Sequence, residues 1–232
     1  LSTLFGTDAV EYRLNDAGAV ACFIDDANVE TLRSVAEDVS SLENIVTVGD
    51  ATPQTDEQHF SDVVSDTSST FETVRTDPED DAIIIYTSGT TGDPKGVLHA
   101  HRVLLGNLPL FITGFCNMEL SDSDVFWTPS EWAWVATLFD VVFPSLFYGK
   151  PIVAYTADEN FDPTTAMDLI ERYDVTNVFA PPTALRMMEQ LDSPGQWDVS
   201  SIRCIPSGGE SLGQTIVEWA QEVFEGAAVH EA

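Results

Sequence analysis

The stretch Tyr86-Thr87-Ser88-Gly89-Thr90-Thr91-Gly92-Asp93-Pro94-Lys95-Gly96 constrains this chain more than any other segment. It follows Ala82-Ile83-Ile84-Ile85, an apolar run that predicts a buried strand. A strand therefore feeds a loop of glycines, hydroxyl side chains, one proline and one lysine. Glycines let backbone N–H groups approach an anion with no Cβ in the way. Ser and Thr hydroxyls add donors, and Lys95 adds a compact positive charge. Such a loop suits the β- and γ-phosphates of a nucleotide. A plain Gly/Thr-rich turn between two strands is the alternative. The spacing departs from a Walker A loop, since Asp93-Pro94 separates Gly92 from Lys95 and Gly96 stands where Ser or Thr would follow.

Charge narrows the partners. With 39 acidic residues against 9 Lys+Arg, the formal charge is −30. Nucleic acid and anionic membrane surfaces repel such a chain. Disorder is disfavoured, because 44% of residues are hydrophobic and the apolar runs are regular. The acids are scattered along the sequence, as in a halophile, where a Debye length of roughly 3 Å at ~1 M salt screens self-repulsion. No D-x-[DN]-x-[DN]-G loop supports calcium binding. The chain's lysines are Lys95, beside the glycine-rich loop, and Lys150, in the turn Tyr148-Gly149-Lys150-Pro151. Lys150 reads as a solvated turn residue.

Cys22, Cys116 and Cys204 are odd in number and widely spaced, which argues against a disulfide framework or a zinc site and for a reducing, cytoplasmic compartment. Each reads as a packing residue. His59, His99, His101 and His230 are too dispersed for a metal triad. No membrane span is expected: the most apolar region, residues 132–147, is short and broken by Asp140 and Pro144.

The pattern T-S-G-T-T-G-x-P-K-G resembles the phosphate loop of the adenylate-forming superfamily, which includes acyl-CoA synthetases, luciferases and peptide-synthetase adenylation domains. The resemblance implies that Thr87, Ser88, Gly89, Thr90, Thr91, Gly92 and Lys95 enclose the ATP phosphates. Lys95 and Thr90 would be the catalytic residues, with Lys95 neutralising the departing pyrophosphate. Pro206-Ser207-Gly208-Gly209-Glu210 follows a predicted strand and precedes an amphipathic helix, a place where open α/β sheets bind ligands. The bland reading is a helix start whose Glu210 complements the helix dipole. The resemblance implies instead that Ser207, Gly208, Gly209 and Glu210 line the adenine pocket. Glu231 and Ala232 would be the leading edge of a Y-G-x-T-E motif whose magnesium carboxylate lies past residue 232, so no metal ligand is assigned.

Phe126-Trp127-Thr128-Pro129-Ser130-Glu131-Trp132-Ala133-Trp134 concentrates three of the chain's 5 tryptophans. Core packing is the simpler reading. The segment also resembles the acetate and medium-chain branch of acyl-CoA synthetases, which implies that Trp132 lines an acyl pocket. The implied substrates are a small-molecule carboxylic acid, ATP with Mg2+, and coenzyme A. A carboxylate would attack the α-phosphorus of ATP, and a CoA thiol would then attack the acyl-AMP. An aryl or long-chain acid ligase, a carrier-loading adenylation domain and a non-catalytic nucleotide-binding remnant are the rival readings.

Alternating strand and helix patterns predict an α/β fold of mostly parallel sheet segments covered by helices, the central part of a large N-terminal AMP-binding domain. Residues 8–16 form an amphipathic segment ending near Gly18, and residues 19–24 and 44–48 read as strands about a helix through Leu32, Val35 and Val39. Residues 50–81 form a long, mobile acidic connection with one helical pattern near Phe60. We divide residues 1–80, a leading portion, from residues 82–232, the nucleotide and acyl portion. A helix over residues 101–115 is expected to dock through its leucines. Leu1 is not Met, and residue 232 falls in a predicted strand, so both ends read as cut and the small C-terminal domain as absent. The 232 residues alone are therefore not expected to catalyse the reaction.

Overall fold

The computed structural model describes residues 1–87, 93–155 and 161–231. Tertiary contacts divide the chain into two units, Leu1–Arg102 and Val103–Ala232.

The first unit begins with α1 (Thr7–Ala17), which closes on Gly18: the N–H groups of Gly18 and Ala19 bond the carbonyls of Asn15 and Leu14. β1 (Ala21–Asp25), β2 (Asn44–Val48) and β3 (Glu57–His59) then form a parallel three-stranded sheet. Leu14, Leu32 and Val39 are buried together beside it. The helix expected through Val39 is shorter, α2 (Val29–Arg33) followed by a 3-10 turn at Ala36–Asp38. Leu32, Val35 and Val39 are nonetheless all buried, so the apolar spacing identified the inward face. Val35 leaves the helical region at φ −121°, in keeping with the low helix propensity of β-branched residues.

β3 was not anticipated within the acidic connection, and neither were the exact bounds of α3 (Phe60–Ser65). Arg33 fixes β3: its Nε and Nη2 donate to the two Glu57 carboxylate oxygens at 2.8 and 2.6 Å, and Nη2 also reaches the Thr52 carbonyl. That ion pair holds the Glu57 carboxyl below its usual range. Residues 64–82 follow as an exposed run.

β4 (Asp81–Thr87) and β5 (Lys95–Ala100) pair antiparallel as a separate two-stranded sheet. This corrects the expectation of a buried strand. Ala82 is exposed, Ile84 is 39% exposed, and Val97 and Leu98 on β5 are exposed too. With no third strand on this ribbon among the described residues, Ile83 and Ile85 are only half-buried.

The second unit is layered. α4 (Val103–Leu110) continues as a π-helical turn at Phe111–Phe115, and β6 (Phe126–Trp127) follows. A π-helical stretch at Thr137–Val142 leads into α5 (Phe143–Phe147). Next come α6 (Pro163–Arg172), β7 (Asn177–Val178), α7 (Pro182–Glu189), β8 (Cys204–Ser207), α8 (Gln214–Val223) and β9 (Ala228–Glu231). The strands form a parallel sheet in the order β6-β7-β8-β9. Beside it, Ile152 makes an isolated parallel bridge to Phe126.

Strand alternation assigns the two sheet faces. Trp127, Val178, Ala180 and Ile205 join Met167, Ile170, Leu185, Met188, Ile216 and Phe224 in one core, which packs α6, α7 and α8. Phe126 and Phe179 join Phe111, Phe115, Cys116 and Val141 in the other. The residues 101–115 segment is thus docked by phenylalanines. Leu105 and Leu110 are 56% and 46% exposed, which corrects the expected leucine contact.

Local signals set the helix starts. Asp162 caps α6, accepting from the N–H groups of Thr164 and Thr165 at 3.2 and 2.9 Å, with Pro163 at the first helical position. Cys116 and Cys204 are buried, and burial pushes their thiols up to about 12 and about 11. They stay protonated near neutrality, in keeping with packing rather than reactive cysteines.

Candidate functional site

The hairpin of β4 and β5 brings the two ends of the glycine-rich loop together. Thr87, the last residue of β4, pairs with Lys95, the first of β5, and both are exposed. Ser88, Gly89, Thr90, Thr91 and Gly92, five of the residues assigned to phosphate binding, lie outside the described residues. Tyr86 pairs with Gly96, and the tyrosine ring lies over that glycine. A Cβ at Gly96 would stand 3.0 Å from Ile84 Cγ2 and 3.2 Å from the Tyr86 ring. A side chain at Gly96 would press on both neighbours, so close packing favours glycine there independently of any ligand.

Tyr86 is held from below. Its hydroxyl donates to Asp16 Oδ2 at 2.7 Å and lies 3.3 Å from the Arg13 carbonyl. Burial, reinforced by the Asp16 carboxylate, pushes the Tyr86 phenol up to about 12. Tyr12 packs edge-on against Tyr86, and its hydroxyl donates to the Pro94 carbonyl at 2.9 Å. The Arg13 guanidinium stacks over Phe5 at 4.0 Å and lies 5.5 Å from the Tyr86 centroid. Sequence reasoning gave none of these residues a role. Their partners lie 70 to 82 positions away, and no local pattern announces such contacts.

In the second unit, Ser207 ends β8 opposite Glu231 of β9, so both stand at the carboxyl ends of parallel strands. Ser207 is fully buried, and its hydroxyl finds no hydrogen-bond partner among the described residues. Gly208 is half-buried and Gly209 exposed, with Gly209 at φ 97°, where a side chain would be strained. Glu210 is exposed and pairs with Arg186 Nη1 at 3.0 Å, while Arg186 Nη2 donates to the Ser211 carbonyl. Glu231 Oε1 accepts from the Leu212 N–H at 2.7 Å and from the Ser211 hydroxyl at 3.1 Å. Arg186 and Glu231 thereby brace the backbone between Gly209 and α8. Arg186 was absent from the sequence reading, since one arginine on an amphipathic helix carries no signal of its partner. Ala232 lies outside the described residues.

The aromatic segment divides. Trp127 is core at 3% exposure, whereas Trp132 and Trp134 are 38% and 59% exposed. Core packing explains the first tryptophan and leaves the other two at the surface. Among the described residues, no three His, Cys, Asp or Glu side chains converge to hold a metal ion. Lys150, read as a solvated turn residue, pairs with Asp122 at 3.2 Å, and its side chain is only 11% exposed.

The first unit carries the T-S-G-T-T-G-x-P-K-G segment between paired strands, the second a parallel sheet whose strand end carries S-G-G-E, and both belong to an α/β protein. The family model for AMP-binding enzymes matches residues 1–232, and the chain belongs to that family. It is 32% identical over 163 residues to an acetyl-coenzyme A synthetase of Methanothrix thermoacetophila, a match covering 69% of this chain and 24% of that protein. It is 28% identical to a 3-hydroxypropionyl-coenzyme A synthetase of Metallosphaera sedula, over 97% of this chain and 37% of that one. The fold superposes on the anthranilate CoA ligase AuaEII, solved with anthranoyl-AMP, with a TM-score of 0.86 and 25% identity, covering 99% of this chain and 43% of that chain. An acyl-CoA synthetase of Brucella canis superposes with a TM-score of 0.84 at 27% identity, covering 100% of this chain and 42% of that one. The expected α/β fold of an adenylate-forming N-terminal domain is therefore found. The chain spans between about a quarter and two fifths of the length of these proteins.

Proposed function

We propose that this chain takes part in the ATP-dependent activation of a carboxylic acid, first to acyl-AMP and then to acyl-CoA. The observation that carries this is the position of Lys95. One of the two lysines in a chain of formal charge −30 stands at the mouth of the glycine-rich loop, directly across from Thr87. Thr87, Ser88, Gly89, Thr90, Thr91 and Gly92 surround the β- and γ-phosphates in this reading, and Lys95 neutralises them. Ser207 to Glu210 seat the adenine through backbone groups, since the Ser207 side chain is buried. Trp132, partly exposed, lines the acyl site.

The chemistry asks the protein for positioning and charge stabilisation. A carboxylate oxygen forms a bond to the α-phosphorus while the bond from that phosphorus to the pyrophosphate oxygen breaks. A CoA thiol then attacks the acyl carbon, AMP leaves with the bonding electrons, and the thiol proton passes to solvent. The described residues offer no Mg2+ site of their own. In this reading Mg2+ would arrive with the nucleotide phosphates and offset their charge.

The relatives named for acetyl- and 3-hydroxypropionyl-CoA formation favour a short acid, acetate to medium chain, over the aryl acid of the anthranilate ligase. The charge of −30 favours a halophilic cytoplasm, and no helix among the described residues is long and apolar enough to cross a membrane. Acid-dependent exchange of radiolabelled pyrophosphate into ATP, measured on the polypeptide as its gene encodes it, tests the reading. Acetate or a short acid should stimulate exchange. Stimulation by aryl acids alone would support the rival ligase, and nucleotide binding with no exchange for any acid would contradict acid activation.

A further inference from the structure

We propose that α1 is the positioning element for Lys95, acting through Tyr12 on the Pro94 carbonyl and through Asp16 on the Tyr86 hydroxyl. The two contacts grip opposite strands of the hairpin. Tyr12 holds the residue immediately before Lys95, and Asp16 holds the residue immediately before Thr87, the cross-strand partner of Lys95. A two-stranded ribbon with exposed faces has little packing of its own to fix its end. The aromatic pair Tyr12–Tyr86 and the close seat of the Tyr86 ring on Gly96 join the two grips into one cluster.

The surrounding charge explains why the grip must be directional. Asp8, Glu11, Asp16 and Asp93 line an open concavity with Tyr12 and Asn15, on the α1 side of the hairpin. Four carboxylates repel phosphate oxygens. Lys95 serves an anion only if it is held clear of them, and tethering the Pro94 carbonyl to Tyr12 fixes the backbone from which its side chain departs. Tyr12 and Asp16 are positioning residues; they touch no phosphate themselves.

This inference rests on Lys95 meeting nucleotide phosphates, so the test separates the two ideas. Binding of ATP and of AMP is titrated calorimetrically on the wild-type chain and on Tyr12→Phe, Tyr86→Phe and Lys95→Ala, with thermal midpoints recorded for each. Tyr12→Phe keeps the aromatic packing and removes one hydrogen bond, so ATP affinity should fall about fivefold while AMP affinity stays within about twofold. Tyr86→Phe removes the hydroxyl that Asp16 holds and leaves the carboxylate charge in place, so it should show the same loss of preference for ATP over AMP, and it stands independently should Tyr12→Phe fold poorly. A merely structural role would lower both affinities together, or neither. If Lys95→Ala loses ATP affinity while Tyr12→Phe and Tyr86→Phe retain it, the positioning role is overturned and the phosphate role stands. If Lys95→Ala binds ATP as the wild type does, both are overturned.

Discussion

Asp124→Ala will lower the stability of the second unit by about 3–5 kcal/mol, the range typical when one partner of a buried ion pair is removed. Asp124 has no solvent exposure. Its Oδ1 accepts from Arg203 Nε at 3.1 Å and Nη2 at 2.7 Å, and from the Thr176 hydroxyl at 3.2 Å. Its Oδ2 accepts from the Ser121 N–H at 2.8 Å. Arg203 also donates to the Glu119 carbonyl, so the cluster ties the loop before β6 to the starts of β7 and β8. Alanine leaves these donors without their acceptor. The Arg203 side chain is 35% exposed and can turn partly toward water, which places the effect nearer the lower bound of about 3 kcal/mol. Urea unfolding measures it, and a loss below about 1 kcal/mol would show that the cluster is solvated in solution.

Phe111→Ala will cost about 3–5 kcal/mol, as expected for removing a fully buried aromatic side chain. Phe111 is 0% exposed. Its ring stacks on Tyr148 at 5.9 Å and lies 5.0 Å from Phe126, so one side chain connects the π-helical turn, the end of α5 and the first strand of the sheet. Leu105→Ala is the matched control. That side chain is 56% exposed, and its loss should change stability by less than about 0.5 kcal/mol. Equal effects of the two variants in urea unfolding would contradict docking of this segment by phenylalanine.

That docking illustrates what the sequence made legible and what it did not. Amphipathic spacing and Gly18 located α1, apolar runs located β1 and β2, and the amphipathic pattern after Glu210 located α8, because these are local signals. The leucine-rich pattern of residues 101–115 misled on the inward side chains. Phe111 and Phe115, four positions apart, share the buried face, and Leu105 and Leu110 lie off it. β3 was invisible because three polar residues, Glu57-Gln58-His59, form it, and a long-range arginine holds it in place. The strand before the glycine-rich loop was legible as an apolar run, but its exposure was not, since such a run does not reveal how many strands flank it. In the candidate site, Lys95 and Ser207 to Glu210 followed from motif chemistry. Tyr12, Asp16 and Arg186 are visible only once distant segments meet.

The Lys95 side chain carries the functional reading, and calorimetric titration of inorganic pyrophosphate tests it most directly. Pyrophosphate has neither adenine nor an acyl group, so the measurement isolates the phosphate contact. The wild-type chain should bind it, and Lys95→Ala should weaken binding by about tenfold to a hundredfold, as for loss of one charge-assisted contact of about 1.5–3 kcal/mol. Lys150→Ala should leave the affinity unchanged. Equal binding by the wild-type chain and Lys95→Ala would contradict a phosphate role for this loop.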